Sequence, residues 1–96
     1  MATYIVLGKL TDQGIKNVKD MPNRRAARQK SAESFGITLK DGHLTMGQYD
    51  VVFTLDAPND EAVAKFVLSI GMRGNLATET LRAFSDDEAD ALLSQL

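Results

Sequence analysis

Between Ile37 and Leu55 the apolar residues recur every second position, and the parity changes once and then changes back. Ile37 and Leu39 are odd-numbered, Leu44 and Met46 even-numbered, and Val51, Phe53 and Leu55 odd again. A period of two means strands with one buried face, and a one-residue slip would turn every side chain over. The second change of parity is explained by a hairpin. Gly47-Gln48 reads as a two-residue type II′ turn, because glycine enters its first position without steric cost. Counting outward, Met46 faces Tyr49, Thr45 faces Asp50, Leu44 faces Val51 and His43 faces Val52. Leu44, Met46, Tyr49, Val51, Phe53 and Leu55 then form a core face, and His43, Thr45, Asp50, Val52 and Thr54 the opposite one. The first change needs one extra residue in the leading strand. Asp41-Gly42 is the natural place, as a bulge.

The flanking segments complete the pattern. Thr3 to Leu10 is a strand with Ile5 and Leu7 on one side and Tyr4 and Val6 on the other, so it should be central and covered on both faces. Thr11 or Asp12 caps a short helix carrying Ile15 and Val18, weakened by Gly14 and ended or kinked by Pro22. Pro22 suits the first position of a second helical piece running to Phe35, which Gly36 closes. Ala62, Val63, Phe66, Val67 and Ile70 make the strongest helical stripe, and Gly71 is read as its stop. Leu76 to Phe84 is a fourth strand, with Ala77, Leu81 and Ala83 on one face and Thr78, Thr80 and Arg82 on the other. Ser85 and Glu88 have capping-box spacing, and the last short helix, with Leu92, Leu93 and Leu96, is too short to stand undocked.

The order is β-α-β-β-α-β with a tail helix, which is that of a ferredoxin-like α+β sandwich. Two helices cover one sheet face. The second apolar set of the first strand still requires cover. A homodimer of the α+β-barrel type, with two open faces meeting, supplies it; the leucine tail is the competing cover. Residues 1–96 are expected to form one domain, since a chain of this size buries roughly 60–65% of its unfolded surface.

Composition removes several function classes. There is no cysteine and one histidine, so disulfides and thiolate chemistry are excluded and no metal site is expected. P-loop, dinucleotide and nucleophile-elbow motifs are absent, so no cofactor is implied. Lack of cysteine suits a reducing cytoplasm, and the N-terminal apolar run is too short for a signal peptide. No apolar run approaches the roughly 20 residues of a membrane span. The net charge of −2 gives no global pull toward nucleic acid. Charge is nonetheless uneven. Lys16, Lys19, Arg24, Arg25, Arg28 and Lys30 crowd one segment, and Asp86, Asp87, Glu88 and Asp90 another. The plain reading is two solvated helix surfaces; the sharper one is an anion-facing or subunit-facing basic patch. The basic helix lacks the interleaved aromatics of stacking recognition, so no nucleic-acid partner is expected. Gly71-Met72-Arg73-Gly74-Asn75 is a helix-to-strand loop with the ingredients of an anion cup.

Four blocks carry a family resemblance: Tyr4-Ile5-Val6-Leu7, Gly14 to Asp20, Met46 to Val52, and Thr78 to Phe84. In this order they resemble the GYD-domain proteins, whose glycine, tyrosine and aspartate stand here as Gly47, Tyr49 and Asp50. The resemblance runs from Thr3 to about Glu88 and implies a small bacterial or archaeal α+β protein, without implying a mechanism. Where relatives often carry an aromatic pair before the turn, this chain has His43-Leu44.

The candidate site is the open sheet face. His43 is a candidate base, because its reference pKa lies near neutrality, and Asp50 a carboxylate to orient it. Thr45, Tyr49 and Arg82 join them as candidate ligand-binding residues. Each also has a plainer role: His43 facing solvent or an interface, Asp50 bonding turn backbone or Thr45, Tyr49 packing in the core. Arg82 shares its face with Thr78 and Thr80, where it can meet a carboxylate ligand or a partner subunit. Glu79 on the apolar face would need a partner if buried, which Lys9 could supply; its plainer role is an exposed strand end. Three functions follow: an oligomer that binds a small molecule on the open face at a subunit interface; a small cofactor-free oxygenase or isomerase using His43 and Asp50; or an interaction module with no site of its own. A pocket gathering His43, Asp50 and Arg82 favours the first two, and a flat face the third.

Overall fold

The computed structural model describes residues Met1 to Leu96. Four strands, β1 (Ala2–Leu10), β2 (Thr38–Leu44), β3 (Val51–Ala57) and β4 (Leu76–Ala83), form one antiparallel sheet in the order β2-β3-β1-β4. Helices α2 (Met21–Ser34) and α3 (Asp60–Met72) cover one face, which makes the fold ferredoxin-like. β1 is central because both of its faces are apolar. Tyr4 and Val6 are buried beneath the helices, whereas Ile5 and Leu7 remain half-buried on the uncovered side. No helix is long and apolar enough to cross a membrane.

The core lies between sheet and helices. Val6, Leu55 and Phe66 are its largest fully buried side chains, and the Phe53 and Phe66 rings meet edge-on, 6.3 Å apart. Phe66→Ala would therefore cost about 3–5 kcal/mol. α3 begins at Asn59, whose side chain accepts from Ala62 N at 2.9 Å, and carries Asp60 and Glu61 in its first turn. Ser31 and Ser69 hydroxyls, 3.0 Å apart, join the two helices.

The bulge falls where parity requires it. Leu39 pairs with Leu55 and Gly42 with Phe53, so Lys40 and Asp41 oppose Thr54 alone; Asp41 N donates to Thr54 Oγ1 at 3.1 Å. The pairs Leu44–Val51 and His43–Val52 also stand as counted. Gly36 closes α2 at φ +72°.

Four expectations are corrected. The hairpin does not close in two residues: β2 ends at Leu44 and β3 starts at Val51, and the loop is crossed from Thr45 alone, its N–H donating to Asp50 O at 2.8 Å and its hydroxyl to Tyr49 O. Leu44 and Met46 consequently stand 73% and 98% exposed rather than in the core. Gly71 does not stop α3, because Cβ-less glycine costs a helix only about 1 kcal/mol; the chain turns at Gly74, φ +82°. Gly14 is not merely tolerated in α1 (Asp12–Lys16). It is buried, and a Cβ there would lie 2.2 Å from Asn75 O. Thr11 explains the closeness: its N–H donates to Asn75 O, and its hydroxyl caps Gly14 N while donating to Gly74 O.

The tail helix α4 (Asp86–Leu93) has the expected Ser85–Glu88 capping box, but it does not lie across the sheet. Leu92 and Leu93 are exposed, and the long axis of the chain extends to 48 Å. The Ser85–Glu88 box satisfies its first turn, while its leucines stay in solvent.

Candidate functional site

Ile5 and Leu7 of β1, Val52 of β3 and Leu81 of β4 share the open face by register. Polar groups border them. At one end Thr3 donates to Asp56 at 2.7 Å, and Lys40 lies 3.4 Å from the same carboxylate. The Thr3 hydroxyl first, and Lys40 second, hold the Asp56 carboxyl below its ordinary range against the opposing effect of burial. At the other end stands the loop Thr45–Asp50.

That loop decides where the predicted site residues go. Once the hairpin opens, Tyr49 is no longer bound to the alternation of β3, so it does not join the core. Its hydroxyl donates to Glu79 Oε2 at 2.6 Å, on β4, with β1 lying between. Tyr49 therefore spans the open face, and it, not Lys9, is the partner of Glu79. This hydrogen bond is the main reason the Tyr49 phenol is pushed up. Asp50 turns toward β1: its N–H donates to Gly8 O, and its carboxylate accepts Leu10 N, both at 2.8 Å. The β1–β3 pairing runs out at Gly8–Val51, and the carboxylate takes the place of a backbone carbonyl beyond that end. Thr45 closes the loop by donating to Tyr49 O at 2.7 Å. Gly47, at φ +113°, sits where only glycine is unstrained.

His43 is exposed and makes no side-chain hydrogen bond, so the Asp50 carboxylate does not orient it. It pairs with Val52 at the β2 edge, and it also borders a groove on the helical side together with Arg25 and Arg28 of α2. Arg82 is on the helix-covered side of the sheet, opposite Tyr4 in the register. Its guanidinium stacks over Phe84 at 4.4 Å and Tyr4 at 5.6 Å and donates to Thr3 O and Ala83 O. The structure thus gathers Thr45, Tyr49 and Asp50 in one loop, puts His43 at the β2 edge, and separates Arg82 from them. The cavities of the molecule line the helical side, the β2 edge and the start of α3; none of them is lined by Ile5, Leu7, Val52 or Leu81. Glu79 is the open-face group that sequence reasoning left outside the site. Its position beside Leu81 on β4 was visible, but its bond to Tyr49 depends on the loop.

A model of the GYD domain matches residues 4–93, and the chain belongs to that family. It is 33% identical over 84 residues to the glutamine synthetase and cystathionine β-lyase binding protein of Thermus thermophilus, covering 86% of this chain and 88% of that protein. Among solved structures, MtbAldR superposes with a TM-score of 0.69 at 10% identity over 88% of this chain, which spans 52% of MtbAldR. The crystal structure of TTHA0845 from Thermus thermophilus superposes at 0.55, with 23% identity over 88% of this chain and 95% of that one. These two structural likenesses carry the fold alone.

Proposed function

We propose that this GYD-domain chain is a protein-binding module that works as a homo-oligomer, pairing two copies through their open sheet faces. One observation carries the reading: Ile5, Leu7, Val52 and Leu81 form an apolar face that neither the helices nor α4 covers, and no cavity indents it. An apolar face with a polar border and no cavity is the anatomy of a protein contact rather than of a small-molecule site. The paired module then binds an enzyme, as the Thermus relative is named for doing. Catalysis by His43 and Asp50 finds no support in the geometry, since the Asp50 carboxylate is engaged by Leu10 N.

A second reading places a small molecule at the same subunit interface. The Tyr49–Glu79 pair favours it, because it sets a hydroxyl and a carboxylate within the apolar face. Sedimentation of the wild type and of Leu7→Asp tests the first reading. Wild type should run as a dimer or larger, and Leu7→Asp as a folded monomer. The dimer should also retain glutamine synthetase or cystathionine β-lyase of the same organism in a purified mixture. A monomeric wild type that binds neither enzyme overturns it.

A further inference from the structure

Four guanidinium groups converge at one end of the helical layer. Arg24, Arg25 and Arg28 come from the first half of α2, and Arg73 from the residue that ends α3. In sequence they belong to two separate features, the basic segment and the glycine-flanked loop. The fold makes them one cluster. None has a carboxylate partner, for the one ion pair of the chain is Lys40–Asp56. Arg24 reaches Gly14 O at 3.4 Å, and the Arg28 guanidinium lies 4.7 Å from the centre of the Phe53 ring. Arg28 is half-buried; burial first, then Arg25 and Arg73, lower its pKa, as for a cation held among cations without an anion.

The cluster borders a two-part groove. The inner part is a notch of about 30 Å³ over Leu10, Ile70 and Leu76. It shares Met21, Arg25, Arg28 and Val51 with an outer part of about 480 Å³, which the β2 edge closes with Gly42, His43 and Leu44. The outer volume falls within the roughly 300–1,000 Å³ of small-molecule sites. Guanidinium forks match phosphate and carboxylate oxygens two at a time. Met21, Leu44 and Val51 offer the same occupant an apolar wall.

We infer that this groove binds a small organic polyanion, its phosphate or paired carboxylate groups held by Arg25 and Arg28 and its apolar part against Met21, Leu44 and Val51. Arg24 and Arg73 add positive potential from the notch. A long polyanion such as nucleic acid is disfavoured, because the chain is acidic overall and α4 carries Asp86, Asp87, Glu88 and Asp90 without a basic residue. The inference is independent of the open-face reading, since the groove is on the other side of the sheet.

The test is calorimetric titration of the full chain with ATP, tripolyphosphate and citrate at matched ionic strength. At least one probe should bind saturably, one per chain, and Arg25→Gln should weaken it at least tenfold. ATP binding more tightly than tripolyphosphate would show that the apolar wall contributes; citrate binding best would assign carboxylate. Arg28→Gln should weaken it as much, with circular dichroism reporting whether that variant folds; the exposed Arg25 keeps the test decisive if it does not. Leu7→Asp, on the far face, should leave binding unchanged, which separates this site from the oligomer surface. No saturable binding by any probe, or binding indifferent to Arg25→Gln, overturns the inference. So does a change in sedimentation of Arg25→Gln without probe binding, which would give the groove to the acidic α4 of a second copy.

Discussion

The Tyr49 hydroxyl donates to Glu79 at 2.6 Å, tying the loop between β2 and β3 to the opposite edge strand across β1. This bond raises the Tyr49 pKa, because the carboxylate favours the protonated phenol. A folded pKa above the unfolded value near 10 means that the stabilisation is complete below pH 10. It is lost as pH rises through the folded pKa. Tyr4 is raised as well, chiefly by its bond to Asp60, so the measurement belongs in Tyr4→Phe. There, absorbance titration should place Tyr49 above an ordinary tyrosine, and Glu79→Gln should bring it down. An unchanged titration in Glu79→Gln would mean that the bond is absent in solution.

Asp50 should prove structural. Its carboxylate accepts Leu10 N, just past the last β1–β3 pair at Gly8–Val51. Asp50→Ala should cost about 1–3 kcal/mol in urea unfolding, since it removes a charged acceptor from a strand-end N–H. Asp50→Asn, which keeps an acceptor oxygen, should cost less. Equal stability of all three forms would leave the residue free for another role.

The two loop glycines should fail for different reasons. At Gly47 nothing lies within 4 Å of an added Cβ, so Gly47→Ala meets only the cost of φ +113°, about 1–3 kcal/mol. At Gly14 the Cβ would sit 2.2 Å from Asn75 O and push α1 away from the α3–β4 loop. Gly14→Ala should therefore disturb amide signals around Thr11, Gly74 and Asn75, whereas Gly47→Ala should disturb only its own loop.

Asp56 gives the acid limb. Its pKa is lowered first by Thr3 and then by Lys40, so its contribution is present above the unfolded value near 3.9 and is lost as pH falls through the folded one. Thr3→Val should raise the Asp56 pKa in a carboxyl-carbon NMR titration and reduce stability at pH 7 but not at pH 2. Lys40→Gln should have the smaller effect, because that pair is solvent-exposed and screened.

Ser85→Ala should unravel α4 and leave the rest intact. Removing the cap costs about 1 kcal/mol, most of what so short a helix has. Loss of helical signal confined to residues 86–93, with the core melting unchanged, is the expected result.

What the sequence determined by itself was whatever depends on period and local chemistry. The two-faced apolar β1, the α3 stripe ending in Ile70, the bulge before Gly42 and the Ser85 capping box all follow from neighbours a few positions apart, and each stands in the structure. The Leu44–Val51 register was legible for the same reason. Only the tertiary structure decided what long-range contacts decide. Alternation assigns Tyr49 to the core because it assumes a two-residue turn; a six-residue loop and a carboxylate 30 positions away place it on the other face. Arg82 and His43 look like companions in sequence, yet sheet pairing sets them apart. Arg28 and Arg73 look unrelated, yet the packing of α2 and α3 on the sheet brings them to one groove. Periodicity says which side of an element is apolar. Which elements then face each other across the sheet depends on strand order and loop closure, through energies spread over residues far apart in the chain.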